Sequence, residues 1–186
     1  MESQRRGPTR RAVLAGTASL VALAGCQSGG ESAAPVTIGT DDNCEQCGMV
    51  ISEHPGPVGQ TYYRENTPTS HEEPVRFCST TCTYRHRYRK ADTGWAPATT
   101  YLTDYSVADY EIRSENGTPV LTRHLDADAF AEASGLTVVA NSDVEGAMGT
   151  AIVPFSSRDD AAAFAEEYGG QTLEAEEIPR QLVTRG

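Results

Sequence analysis

The sequence predicts an α+β fold of short strands and two principal helices. Three observations carry this. Runs at residues 100–105, 110–113, 136–140 and 149–155 concentrate or alternate β-branched and aromatic side chains, as strands do. Ser79 and Ser157 each stand at the head of a run with helical spacing. The 17 glycines and 10 prolines among 186 residues interrupt the rest, so the elements must be short.

The chain opens with Thr9-Arg10-Arg11, a twin-arginine pattern ahead of an apolar, small-residue stretch at 12–25. That stretch falls short of the ~20 apolar residues that a membrane-crossing helix needs and reads as an export signal. It ends in Leu23-Ala24-Gly25-Cys26, which resembles a lipobox, so cleavage before Cys26 and a lipid on its thiol are expected. Residues 1–25 are therefore read as a signal peptide. Residues 26–35, rich in Gly, Ser and Ala, are read as a flexible tether. A metal-binding half at 36–97 and a second half at 98–186 follow.

In the first half, residues 36–38 lead into a cysteine knuckle and residues 49–51 begin an extended segment. Residues 53–74 read as loop, broken by Pro55, Gly56, Pro57, Gly59, Pro68 and Pro74. A short strand at 74–77 precedes a helix over 80–90 with Ser79 as its cap. Cys78 then lies just outside the first turn and Cys82 within it. A linker runs through Gly94 and Pro97. In the second half a short helix is expected at 128–133. A longer one follows Ser157, with Ala161, Phe164, Ala165 and Tyr168 as its apolar stripe and Gly169-Gly170 as its end. Residues 172–178 read as an edge strand. The run Val75-Arg76-Phe77-Cys78-Ser79 and the run Ile152-Val153-Pro154-Phe155-Ser156 each lead into a helix, which hints at a weak duplication.

Charge excludes one class of partner. Residues 1–25 hold four of the 15 basic residues and one of the 26 acidic ones, which leaves 11 against 25 and a net charge of −14. Such a surface is unsuited to nucleic acid and resembles the solvating surface of an extreme halophile's protein.

The chemistry concentrates in two knuckles. Four of the five cysteines and one of the three methionines fall in Cys44-Glu45-Gln46-Cys47-Gly48-Met49 and Phe77-Cys78-Ser79-Thr80-Thr81-Cys82. The first makes a tight turn in which Gly48 supplies the backbone freedom. The second sits at a helix N-terminus, where the dipole favours thiolate, with Arg76 and Arg85 adding positive charge nearby. A turn plus a helix N-terminus is how a treble-clef-like knuckle gathers four ligands. Four thiolates alone favour Zn(II). A thioether two residues after Cys47, and Met148 between Gly146 and Gly149, favour Cu(I), with Zn(II) as competitor. Met148 has an alternative role as core filler against Phe155. Of His54, His71, His86 and His124, only His86, one turn after Cys82, is placed to contribute. Outside the cytoplasm the four cysteines have a competing fate as disulfides, with three connectivities. Ligand-like spacings, and methionines that would then be idle, favour metal. A thiol enzyme needs one distinguished attacking cysteine. None stands out in the sequence, so no catalytic residue is assigned.

A family resemblance joins these motifs. Residues 42–51 resemble the opening signature of NosL, a lipoprotein accessory factor of nitrous-oxide reductase. Residues 101–105, residues 147–155 with Met148-Gly149, and the helix ending at Gly169-Gly170 continue the resemblance in order. It implies two small ββαβ-like halves and a Cu(I) chaperone on the extracytoplasmic face of the membrane. The chaperone would serve nitrous-oxide reductase or another exported copper protein. Cys44, Cys47, Met49 and Met148 match the family's soft-ligand motifs. The second pair, Cys78 and Cys82, departs from the pattern and resembles the heavy-metal knuckle of TRASH and YHS modules. A structural or sensing zinc module is thus the alternative expectation.

The leader carries its own test. Mass spectrometry of membrane-extracted protein is expected to show a chain starting at lipid-modified Cys26, and Cys26→Ala is expected to leave the membrane fraction. An unmodified full-length soluble chain would rule the assignment out.

Overall fold

The computed structural model describes residues 33–65 and 73–184. The leader, Cys26, most of the tether and His71 lie outside the described residues. In chain order the elements are β1 (Gly59–Tyr63), β2 (Val75–Phe77), α1 (Thr80–Ala91), β3 (Pro97–Thr103), β4 (Ile112–Glu115), β5 (Thr118–Leu121) and β6 (Phe130–Glu132). They continue with β7 (Thr137–Ala140), β8 (Glu145–Gly146), β9 (Gly149–Thr150), β10 (Val153–Phe155), α2 (Arg158–Tyr168), β11 (Gln171–Glu174) and α3 (Arg180–Thr184). The α+β class predicted from sequence is observed.

Three sheets form, in the orders β2-β1-β3-β6, β10-β7-β11 and β4-β5-β8-β9. In the first, α1 connects β2 to β3 and the order is β2-β1-β3. In the second, α2 connects β10 to β11 and the order is β10-β7-β11. Both helices start where the sequence places their caps: Ser79 accepts a hydrogen bond from Cys82 N, and Ser157 one from Asp160 N. Gly169, at φ +74°, ends α2.

Several local expectations are corrected. The predicted loop at 53–74 contains β1, the strand that pairs with both β2 and β3. Four of its five residues are buried, so it lacks the alternation that marks a strand with one wet face. The extended segment expected from Met49 is a single bridge, Val50 to Asn43, followed by a 3-10 turn at Ile51–Glu53. The helix expected at 128–133 is β6 flanked by 3-10 turns. The strand at 149–155 is two pieces, β9 and β10. Pro97 opens β3 rather than closing a linker, and β5 was not foreseen. The last edge strand stops at Glu174 and turns into a 3-10 helix.

Two contacts join segments far apart in the chain. Asp104, 2% exposed, accepts hydrogen bonds from Ser106 N and Ser156 N, which ties the end of β3 to the entry of α2. The loop that carries Met148 leans on the segment after the first knuckle: Ala147 N donates to Pro55 O at 2.8 Å. Gly56 sits there at φ +92°, and a Cβ on it would lie 2.8 Å from Gly146 Cα. Only a residue without a side chain permits that approach.

Gly56→Ala is therefore expected to destabilise the protein by ~1–3 kcal/mol, through positive φ and the collision together. Thermal unfolding checks this. An unchanged midpoint would mean that the Met148 loop is not docked as described.

Candidate metal centre

The first knuckle is a closed turn. Cys44 N donates to Met49 O and Gly48 N to Cys44 O, both at 2.8 Å, with Gly48 at φ +77°. A third bond, Glu45 N to Arg76 O, fastens the turn to β2. Because β2 runs directly into Cys78, this bond sets the two knuckles side by side. The Ser79 cap then turns the chain so that Cys78 and Cys82 face the first pair.

The result is four sulfurs, from Cys44, Cys47, Cys78 and Cys82, all within 4.8 Å of one another. Cys47 Sγ to Cys78 Sγ is 3.5 Å and Cys78 Sγ to Cys82 Sγ is 3.7 Å. Four sulfurs at ~2.3 Å from one central ion stand ~3.8 Å apart in a tetrahedron, and these two separations are close to that spacing. Cys44, Cys78 and Cys82 are buried, whereas Cys47 is exposed. The cysteines are free thiols.

Protonation follows from crowding. Hydrogen bonds from the Cys78 and Cys82 thiols hold Cys44 far below the usual thiol range. Cys78 and Cys82, which donate to that sulfur and are buried, are pushed up. Without a cation, negative charge is therefore favoured on Cys44 over Cys78 and Cys82.

The remaining candidates separate clearly. Met49 and Met148 are half-buried and pack against the same apolar cluster that contains Cys44, Cys78 and Cys82. Phe155 belongs to a different cluster, so the filler role considered for Met148 is not the one it takes. Arg76 stays beside the knuckles, 3.4 Å from Asp42. Arg85 does not: its Nε donates to Val183 O, where α1 meets α3. His86 is fully buried next to Phe77, outside the group of four sulfurs, with a 2.9 Å hydrogen bond between Nδ1 and the Tyr63 hydroxyl. Its Nε2 has no hydrogen-bond partner among the described residues. Spacing put His86 on the right face of α1. Its partner Tyr63 was hidden in the strand read as loop.

An α+β domain in which a turn and a helix N-terminus converge four thiols has the donor set of a metal-binding module. The profile of the NosL family matches residues 35–183, and the chain belongs to that family. The copper-binding lipoprotein NosL of Stutzerimonas stutzeri is 30% identical over 153 residues, covering 82% of this chain and 70% of the relative. The crystal structure of the copper chaperone NosL from Shewanella denitrificans superposes with a TM-score of 0.58 at 30% identity, covering 77% of this chain and 94% of that one. The resemblance found in the sequence is thus borne out.

Burial makes His86 a source of pH dependence. Desolvation, then the charges of Arg89 and Lys90, push its pKa from 6.5 down to about 4. A histidine that stays neutral when folded but protonates when unfolded contributes stability that is complete above pH 6.5 and is lost as pH falls towards 4. Denaturant titrations of the metal-free protein are expected to show a loss approaching ~3 kcal/mol across that window. His86→Gln should flatten it. An equally steep loss in that variant would assign the effect elsewhere.

Proposed function

We propose that this chain is a lipid-anchored, extracytoplasmic copper carrier that holds Cu(I) and delivers it for maturation of the copper centres of nitrous-oxide reductase. It acts as a carrier rather than an enzyme. The observation that supports this best is four convergent thiols, three of which belong to the apolar cluster against which the thioether side chains of Met49 and Met148 also pack. Thiolate with thioether is the donor set that discriminates for soft Cu(I). The names of the relatives, a copper-binding lipoprotein and a copper chaperone, point the same way. Among the described residues no helix is long and apolar enough to cross a membrane, and the membrane attachment in this reading rests on Cys26.

Delivery requires ligands that can be exchanged. Three buried sulfurs retain the cargo while Cys47, open to solvent, faces an incoming acceptor. The ligand set proposed is Cys44, Cys47, Cys78 and Cys82, with Met49 and Met148 as the soft neighbours that set metal preference. A second reading, a structural Zn(II) module, is favoured by one observation, the near-tetrahedral sulfur spacing of 3.5 and 3.7 Å.

Metal competition separates the readings. Anaerobically purified protein is expected to take Cu(I) from a chelator at 1:1 and to prefer it to Zn(II). Met49→Leu keeps the bulk and loses the thioether. It should weaken Cu(I) by about tenfold, ~1.4 kcal/mol, and leave Zn(II) nearly untouched. Equal losses for both metals, or retention of Zn(II) against excess Cu(I), would support the structural module instead.

A further inference from the structure

The four sulfurs are chemically unequal. Cys44, Cys78 and Cys82 are 2%, 1% and 0% exposed, and Cys47 alone of the four is open to solvent. A dissolved reagent therefore reaches Cys47 first. The sulfur of Cys78 stands directly behind it at 3.5 Å, closer than Cys78 is to Cys82 at 3.7 Å. A disulfide needs ~2.0 Å, so the pair must close by roughly 1.5 Å. The knuckle is open to solvent at the residue after Cys47, since nothing lies within 4 Å of where a Cβ on Gly48 would stand.

We propose that Cys47 and Cys78 are a disulfide-forming pair in the metal-free protein, with Cys47 attacking a low-molecular-weight disulfide and Cys78 resolving the adduct. Cys47 as thiolate attacks one sulfur of the reagent, whose S–S bond breaks. One reagent thiol leaves with a proton, and a mixed disulfide stays on Cys47. Cys78 then attacks the Cys47 sulfur and gives up its proton to the second reagent thiol as that thiol is expelled. Two protein thiols lose two electrons and two protons, and one reagent disulfide becomes two thiols. The closure links residues 31 apart and removes two of four donors, so the oxidised protein cannot surround an ion. A bound ion engages the same sulfurs and blocks the reaction. Empty and loaded protein thereby differ in their response to an oxidising compartment. The inference rests on the geometry of the metal-free cluster and holds whichever metal is carried.

Reduced, metal-free protein treated with oxidised glutathione, quenched by alkylation at intervals and mapped by peptide mass, tests this. Two of the clustered thiols should disappear together, and the first cross-linked peptide should join Cys47 to Cys78. Prior loading with Zn(II) should slow the loss by about tenfold or more. Cys78→Ser should stop at a glutathione adduct on Cys47, and Cys47→Ser should keep its three buried thiols. The proposal is overturned by a first linkage of Cys78 to Cys82 or of Cys44 to Cys47. Thiol loss in Cys47→Ser at the parent rate overturns it equally. The mapping of the parent chain decides the matter even if a variant does not fold.

Discussion

Four thiols held within 4.8 Å of one another, three of them buried, cannot all ionise in the absence of a cation. Two unit charges at that separation repel by ~4 kcal/mol even at an effective dielectric constant of 20, and each sulfur has three such neighbours. The protein resolves this by protonation when empty, with Cys44 held low and Cys78 and Cys82 pushed up. A soft cation resolves it better, because it neutralises several sulfurs at once. Metal binding here is therefore also folding energy for the surrounding elements. The hydrogen bonds of the first knuckle, the Glu45–Arg76 link and the Ser79 cap are what hold the sulfurs together against their mutual repulsion.

The second half of the chain contributes through contact rather than through thiols. Asp104 locks the end of β3 to the entry of α2, and the Gly56–Gly146 approach presses the Met148 loop onto the Pro55 segment. Met148 is thereby delivered to the cluster around Cys44 from about a hundred residues away. Soft-metal preference in the proposed function thus depends on tertiary docking. The thiol cage depends mainly on the junction of the first knuckle with β2 and α1.

Much of the centre was legible in the sequence because its parts are local. Cys-x-x-Cys-Gly forces a turn, Ser79 caps the helix that follows Cys78, and both motifs read without knowledge of the fold. The Met148-Gly149 segment was recognisable as chemistry, but not where it docks. The least legible element was β1. Its flanking glycines and prolines spell loop, and its burial on both faces erases the alternation by which strands are found. Tyr63 lies on this strand, so the hydrogen bond that fixes His86 is equally invisible in the sequence. Arg85 shows a related effect: proximity in sequence places it beside the knuckles, but its side chain donates to Val183 O at α3.

The sequence by itself determined the α+β class, the two capped helices, the family and the identity of the clustered thiols. Each of these is written in contiguous residues whose chemistry or backbone preference acts over one or two turns. Tertiary structure alone decided which sulfurs are buried and which one faces solvent. It decided that Met148 joins the cysteine cluster instead of Phe155, and that His86 bonds to Tyr63 outside the group of four sulfurs. Those outcomes depend on close approach between segments far apart in the chain. A pairing of that kind is set by sheet register and packing, and neither is encoded in any single stretch of residues.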